Sequence, residues 1–147
     1  MAHVADVVAL VTAVTNLLAG ALGAWRWWTV EPSRVFWVLC RGGQAIAVVQ
    51  ALVAGALAAL GFHPADALYW LYALLPVVVS FVGEQLRVTA AQAVLDDREL
   101  EDAQAVGRLD DAGQRSVVLA IVRREMGTMA AAALVVAFLA LRAWGTA

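Results

Sequence analysis

Apolar and polar positions along the chain separate into four long hydrophobic runs and three polar connections. The runs cover about 4–24, 35–62, 67–83 and 126–144. Each approaches or exceeds the ~20 apolar residues that cross ~30 Å of hydrocarbon. The pattern predicts four membrane helices, called here helices 1 to 4 of the sequence.

The connections differ in character. The first carries Trp25-Arg26-Trp27-Trp28 and then Glu31-Pro32-Ser33-Arg34, whereas the second is only His63-Pro64-Ala65-Asp66, a tight antiparallel hairpin. The third, Glu84 through Glu125, is the one long polar segment. Within it Leu86, Ala90, Ala93, Asp97, Leu100 and Gln104 recur at three- to four-residue steps, which predicts helix. Gly107 suits a helix stop, and Asp110 or Asp111 suits a cap for the next helix. Apolar residues Val117 to Val122 can lengthen that helix outside the membrane. The expected fold is all-α: one polytopic membrane domain over residues 1–147, a four-transmembrane-helix bundle with a cytoplasmic helical hairpin at about 84–125.

Composition agrees with this pattern. Of 147 residues, 63% are hydrophobic and only 15% charged, with mean hydropathy +0.80. Soluble domains run about 45–50% apolar and about 25% charged. The formal net charge of −2 gives no whole-chain basic signature, so no nucleic-acid partner is expected. The lone Cys40 excludes an internal disulfide and a Cys-x-x-Cys site. Met1 to Val4 carries no basic n-region and the following run outlasts a signal peptide, so it is read as the first membrane helix.

Arginine sets the expected orientation. Alternating sides gathers Arg26, Arg34, Arg41, Arg87, Arg98, Arg108, Arg115, Arg123 and Arg124 on one face and leaves only Arg142 opposite. The positive-inside rule then puts both termini outside the plasma membrane and connections 1 and 3 in the cytoplasm. Trp25, Trp27, Trp28 and Trp37 would mark the inner interface, with Trp70 and Trp144 at the outer one.

Small residues Gly43, Ala47, Ala51, Gly55 and Ala59 fall at every fourth position of helix 2, a ridge that lets helix backbones approach. The ridge serves either packing within the chain or a homo-oligomer seam. Thr12, Asn16, Gly20 and Ala24 form a second ridge on helix 1, and Gln50 is a candidate hydrogen-bond partner for deep-lying Asn16. Pro76 removes one backbone hydrogen bond, to Tyr72, and predicts a kink. Neighbouring helices or Ser80 can satisfy the groups it frees.

Two clusters invite chemistry. Arg41, Gln44, Glu84, Arg87 and Arg124 are expected at one level near the arginine-rich face, beside Gln85, Arg123 and Glu125. Charge near hydrocarbon is costly and marks candidate sites. The layer either pairs internally to fix helix register, or forms a cavity in which arginines hold an anion bidentately while Glu84 orients it or relays a proton. At the outer face His3 and Asp6 match His63 and Asp66 in spacing, and the four could converge on zinc or another divalent ion. Capping explains the same pattern: Pro64 suits a first helical position, and aspartate suits a helix N-terminus. Both histidines lie too far out for bis-histidine haem, and no nucleophile–base pair, P-loop or nucleotide fingerprint occurs. No cofactor is expected beyond that possible metal.

These features rank three functions. The first is a non-catalytic accessory or assembly component that docks a partner through the hairpin. The second is an oligomeric transporter or channel for a small anionic or proton-coupled substrate, and the third a membrane enzyme acting on a lipid-soluble substrate. The expected partners are the lipid bilayer and either further copies of the chain or another membrane protein. The hairpin carries more acids than arginines, which argues against anionic lipid headgroups there.

Overall fold

The computed structural model describes residues 1–147 and contains helices and turns with no strand. Its elements are α1 (Ala2–Thr29), α2 (Arg34–Ala59), α3 (Leu68–Val88), α4 (Ala90–Asp97), α5 (Ala103–Gly107) and α6 (Asp111–Trp144). Four helical stretches are long and apolar enough to cross a membrane: Ala2–Thr29, Arg34–Ala59, Leu68–Asp97 and Asp111–Trp144.

Local chemistry explains the boundaries. α1 carries the helix through the tryptophan cluster and stops where Val30 takes a left-handed conformation, φ 56°. The Ser33 hydroxyl accepts from Phe36 N–H at 3.2 Å and caps α2. α3 passes Gly83 and Glu84 without a break, and only a turn at Thr89 separates it from α4. Asp102 caps α5 through Ala105 N–H at 2.8 Å. Asp110 caps α6 through Gly113 N–H at 2.9 Å. α6 then runs 34 residues unbroken, about 51 Å at 1.5 Å per residue, well beyond the ~30 Å of hydrocarbon. The apolar stretch Val117 to Val122 belongs to this one long helix.

α6 is the central element, lying along α1 and α3, while α2 joins α1 to α3 on the other side. The contacts are lined by small residues: Ala5, Ala9, Ala13, Ala47, Ala73, Ala130, Ala133, Ala140 and Ala143 are all buried. Large apolar side chains instead point outward, including Leu17, Leu18, Leu52, Phe81 and Phe138. That is the reverse of a water-soluble core.

Both termini lie at one end. Ala5, Ala9, Tyr69, Ala73 and Ala143 share one apolar cluster, and Asp66 N–H donates to the Thr146 carbonyl at 3.2 Å. Phe36, Cys40, Met126, Met129 and Ala130 form the cluster toward the other end.

Polar groups deep in the helices bond to backbone and not to each other. Asn16 Nδ2 donates to the Gly43 carbonyl at 3.2 Å and to the Thr12 carbonyl at 2.9 Å. Gln50 Nε2 donates to the Ala73 carbonyl at 3.3 Å. The expected Asn16–Gln50 pair does not form, because each amide finds a carbonyl on the adjacent helix first. Gln50 thereby bonds beside the proline, since Ala73 follows Tyr72, whose carbonyl Pro76 deprives of a partner. Ser80 hydroxyl donates to the Pro76 carbonyl at 2.7 Å and leaves Tyr72 alone.

Candidate functional site

α2 and α3 bring Arg41, Gln44, Glu84 and Arg87 together. Arg41 and Gln44 are three residues apart on α2, as are Glu84 and Arg87 on α3, so each pair shares a helix face. Arg41 Nη1 and Nη2 donate to Glu84 Oε1 and Oε2 at 2.6 and 3.3 Å. Gln44 Nε2 donates to Glu84 Oε1 at 2.9 Å, and Arg87 Nε donates to Glu84 Oε2 at 2.9 Å. Gln44 closes the ring by accepting from Arg41 Nη1 at 2.9 Å. The Arg87 guanidinium also lies 5.8 Å from the centre of the Trp37 ring and 3.9 Å from Glu125 Oε1.

This geometry limits the chemistry available. A carboxylate offers about four lone-pair sites, and Glu84 accepts from Arg41 twice, from Gln44 and from Arg87. It retains no acceptor for a ligand. Of the ring only Gln44 borders a cavity, one lined also by Asn16, Cys40 and Ser80 that measures only about 10 Å³, near the lower bound for one water molecule. Cys40 is a buried core residue there.

Arg124 stands apart from this ring. Its Nη1 pairs with Asp97 Oδ2 of α4 at 2.8 Å. Arg123 lies with its guanidinium 5.0 Å from the centre of the Trp27 ring, and Arg98 Nη1 donates to Ser116 Oγ at 3.0 Å. Arg124 belongs to a second arginine group between the end of α1, α4 and α6. None of these partners is visible in the sequence, because Trp27, Asp97 and Arg123 approach only when three helices pack. The alternation of arginine and tryptophan at 25–28 is the one local signal.

The ridge on α2 divides. Gly43 and Ala47 are buried, Ala51 is half-buried, and Gly55 and Ala59 are exposed. A four-residue step overshoots the 3.6-residue turn, so the ridge drifts around the helix. Its first half packs on α1, where a side chain at Gly43 would sit 2.7 Å from Asn16 Oδ1, while nothing lies within 4 Å of Gly55.

At the other end of the helices the N-terminal parts of α1 and α3 are neighbours through Ala5, Ala9 and Tyr69. His3, Asp6, His63 and Asp66 nonetheless form no group of three or more metal-ligating side chains. His63 Nδ1 lies 2.7 Å from the Gly61 carbonyl. Asp66 Oδ1 accepts from Leu68 N–H at 2.9 Å, the capping alternative to a ligand role.

Comparison with protein-family models, curated proteins and solved structures finds no match to this chain. The class of protein rests on the helices themselves: an all-helical chain with four helices able to cross a membrane.

Proposed function

We propose that the chain inserts into the plasma membrane as a four-helix bundle with both termini outside, and acts as a non-catalytic accessory or assembly component. The outward-facing leucines, valines and phenylalanines suit lipid, since a surface of that kind in water would aggregate. The saturated Glu84 carboxylate carries the choice of role. A carrier or enzyme working through the Arg41/Gln44/Glu84/Arg87 layer needs guanidinium donors and a carboxylate left free for substrate; here Arg41 and Arg87 both spend donors on Glu84, and none of the three lines a cavity. The ring serves instead as a register lock between α2 and α3.

The docking surface is the turn from α4 to α6. Glu99, Glu101 and Asp111 are exposed there and make no side-chain hydrogen bond or ion pair, whereas Asp97, Asp102 and Asp110 are engaged in pairing or capping. Free carboxylates of this kind suit a basic surface on a membrane-protein partner, where charge complementarity steers encounter. The test is capture of partners by tagged wild-type chain and by the triple variant E99Q/E101Q/D111N, which leaves both caps and the Asp97–Arg124 pair in place. Loss of a wild-type partner in the variant supports docking. Retention of all partners, together with solute flux through reconstituted protein, would favour the transporter reading.

A further inference from the structure

Two chambers adjoin along α6, the first between α1, α4 and α6 and the second between α1 and α6, and their chemistry changes abruptly where they meet. The first, about 480 Å³, is lined by Trp27, Asp97, Arg98, Arg123 and Arg124 among apolar neighbours. The second, about 410 Å³, continues along α6 past Gly127, Ala131 and Leu134 and is almost wholly apolar. Trp27 and Arg124 line both. From Arg123 to Leu134 the groove runs roughly 16 Å along the helix.

Charge in the first chamber is unbalanced. It holds three arginines against the single Asp97. Only Arg124 has an acidic partner, through one nitrogen at 2.8 Å. Arg98 bonds to the hydroxyl and carbonyl of Ser116, and Arg123 rests on the Trp27 ring. The acid excess of the whole connection, which argues against anionic headgroups, does not describe this chamber. Glu99, Glu101, Asp102, Asp110 and Asp111 all lie outside its lining.

We propose that this groove binds one anionic phospholipid, its phosphate held by Arg123 and Arg124 and one acyl chain lying along Gly127, Ala131 and Leu134. A guanidinium fork matches phosphate geometry bidentately. Tryptophan is suited to the boundary between headgroup and acyl chain. Gly127 makes the junction possible, because a side chain there would sit 2.8 Å from Trp27 Nε1 and force the indole off α6. The lipid comes from the leaflet at the arginine-rich face. The inference rests on membrane insertion as proposed above and is independent of the docking role.

The test is native mass spectrometry of the full chain in neutral detergent with equal dioleoyl-phosphatidylglycerol and dioleoyl-phosphatidylcholine. One phosphatidylglycerol should be retained per chain in preference to phosphatidylcholine. R123Q touches no carboxylate and should weaken retention about fivefold, the worth of one arginine beside an anionic lipid. A131W keeps every charge and fills the apolar chamber from an exposed position, so it should abolish retention where R123Q only weakens it. R108Q, at an exposed arginine outside the chamber, should change nothing. Equal retention of the two lipids, or unchanged retention in R123Q, overturns the site. Retention intact in A131W, with displacement by soluble glycerol phosphate, overturns the lipid in favour of a free phosphate. Flotation with pure phosphatidylcholine vesicles reports insertion separately. A chain that floats without selecting phosphatidylglycerol contradicts the lipid site alone, and one that does not float contradicts insertion as well.

Discussion

Arg41 and Glu84 meet as a two-pronged pair, Nη1–Oε1 at 2.6 Å and Nη2–Oε2 at 3.3 Å, which ties α2 to α3 at the arginine-rich end. The two partners do not matter equally. The Glu84 side chain is 22% exposed and the Arg41 side chain 53%. Glu84→Gln removes the group that Arg41, Gln44 and Arg87 all address. It should cost about 2 kcal/mol, in the range for hydrogen bonds to charged groups. Arg41→Gln removes one half-exposed donor and should cost less than about 1 kcal/mol. Thermal melting of both variants in the same detergent checks the order. An equal or reversed order would remove Glu84 from the centre of the ring.

Gly43 and Gly55 should respond to alanine with opposite signs. Both gain helix propensity, about 1 kcal/mol per glycine replaced. At Gly43 the new methyl collides with the Asn16 amide, and overpacking of about 1–3 kcal/mol outweighs that gain. Gly55 has open space, so its gain stands. Gly43→Ala should therefore lower the melting temperature, and Gly55→Ala should raise it slightly.

Val30 is β-branched and sits at φ 56°. Left-handed backbone costs a residue with a Cβ roughly 1–2 kcal/mol, a cost glycine avoids. Val30→Gly should stabilise the chain by about 1 kcal/mol in chemical denaturation, less whatever packing the half-buried side chain supplies. A destabilised variant would mean that this packing outweighs the strain.

Orientation is open to a direct test. Reporters after Ala147 and within the turn that follows Gly107 should read opposite sides, extracytoplasmic and cytoplasmic respectively. A cytoplasmic reading at Ala147 would overturn the arginine-based topology.

The four long helices were legible because twenty-residue apolar runs have few alternative uses. The pair within one helix, Glu84 with Arg87, was legible too, since three-residue spacing fixes a shared face. A cap at Asp110 or Asp111 followed from residue type and position, and Asp110 takes that place. Across helices only a shared level could be read, not which side chains would pair. Arg124 lies one residue from Glu125, yet these project on different faces, so Arg87 approaches Glu125 while Arg124 turns to Asp97. Sequence proximity to the layer was no guide to membership of it. The ridge on α2 misled in the same way. Its regular four-residue step looked like one surface, but the 40° gained at each step carries Gly55 away from Gly43. Asn16 and Gln50 could be recognised as buried amides, but not that each would choose a backbone carbonyl.

The role proposed for this chain runs through a polypeptide partner and not through a substrate passing its arginine layer. Native mass spectrometry on protein gently extracted from its own membrane tests it most directly. A fixed complex with a second, different polypeptide is the expected result. A chain found alone or as a homo-oligomer, carrying a stoichiometric small solute that E84Q abolishes, would contradict it.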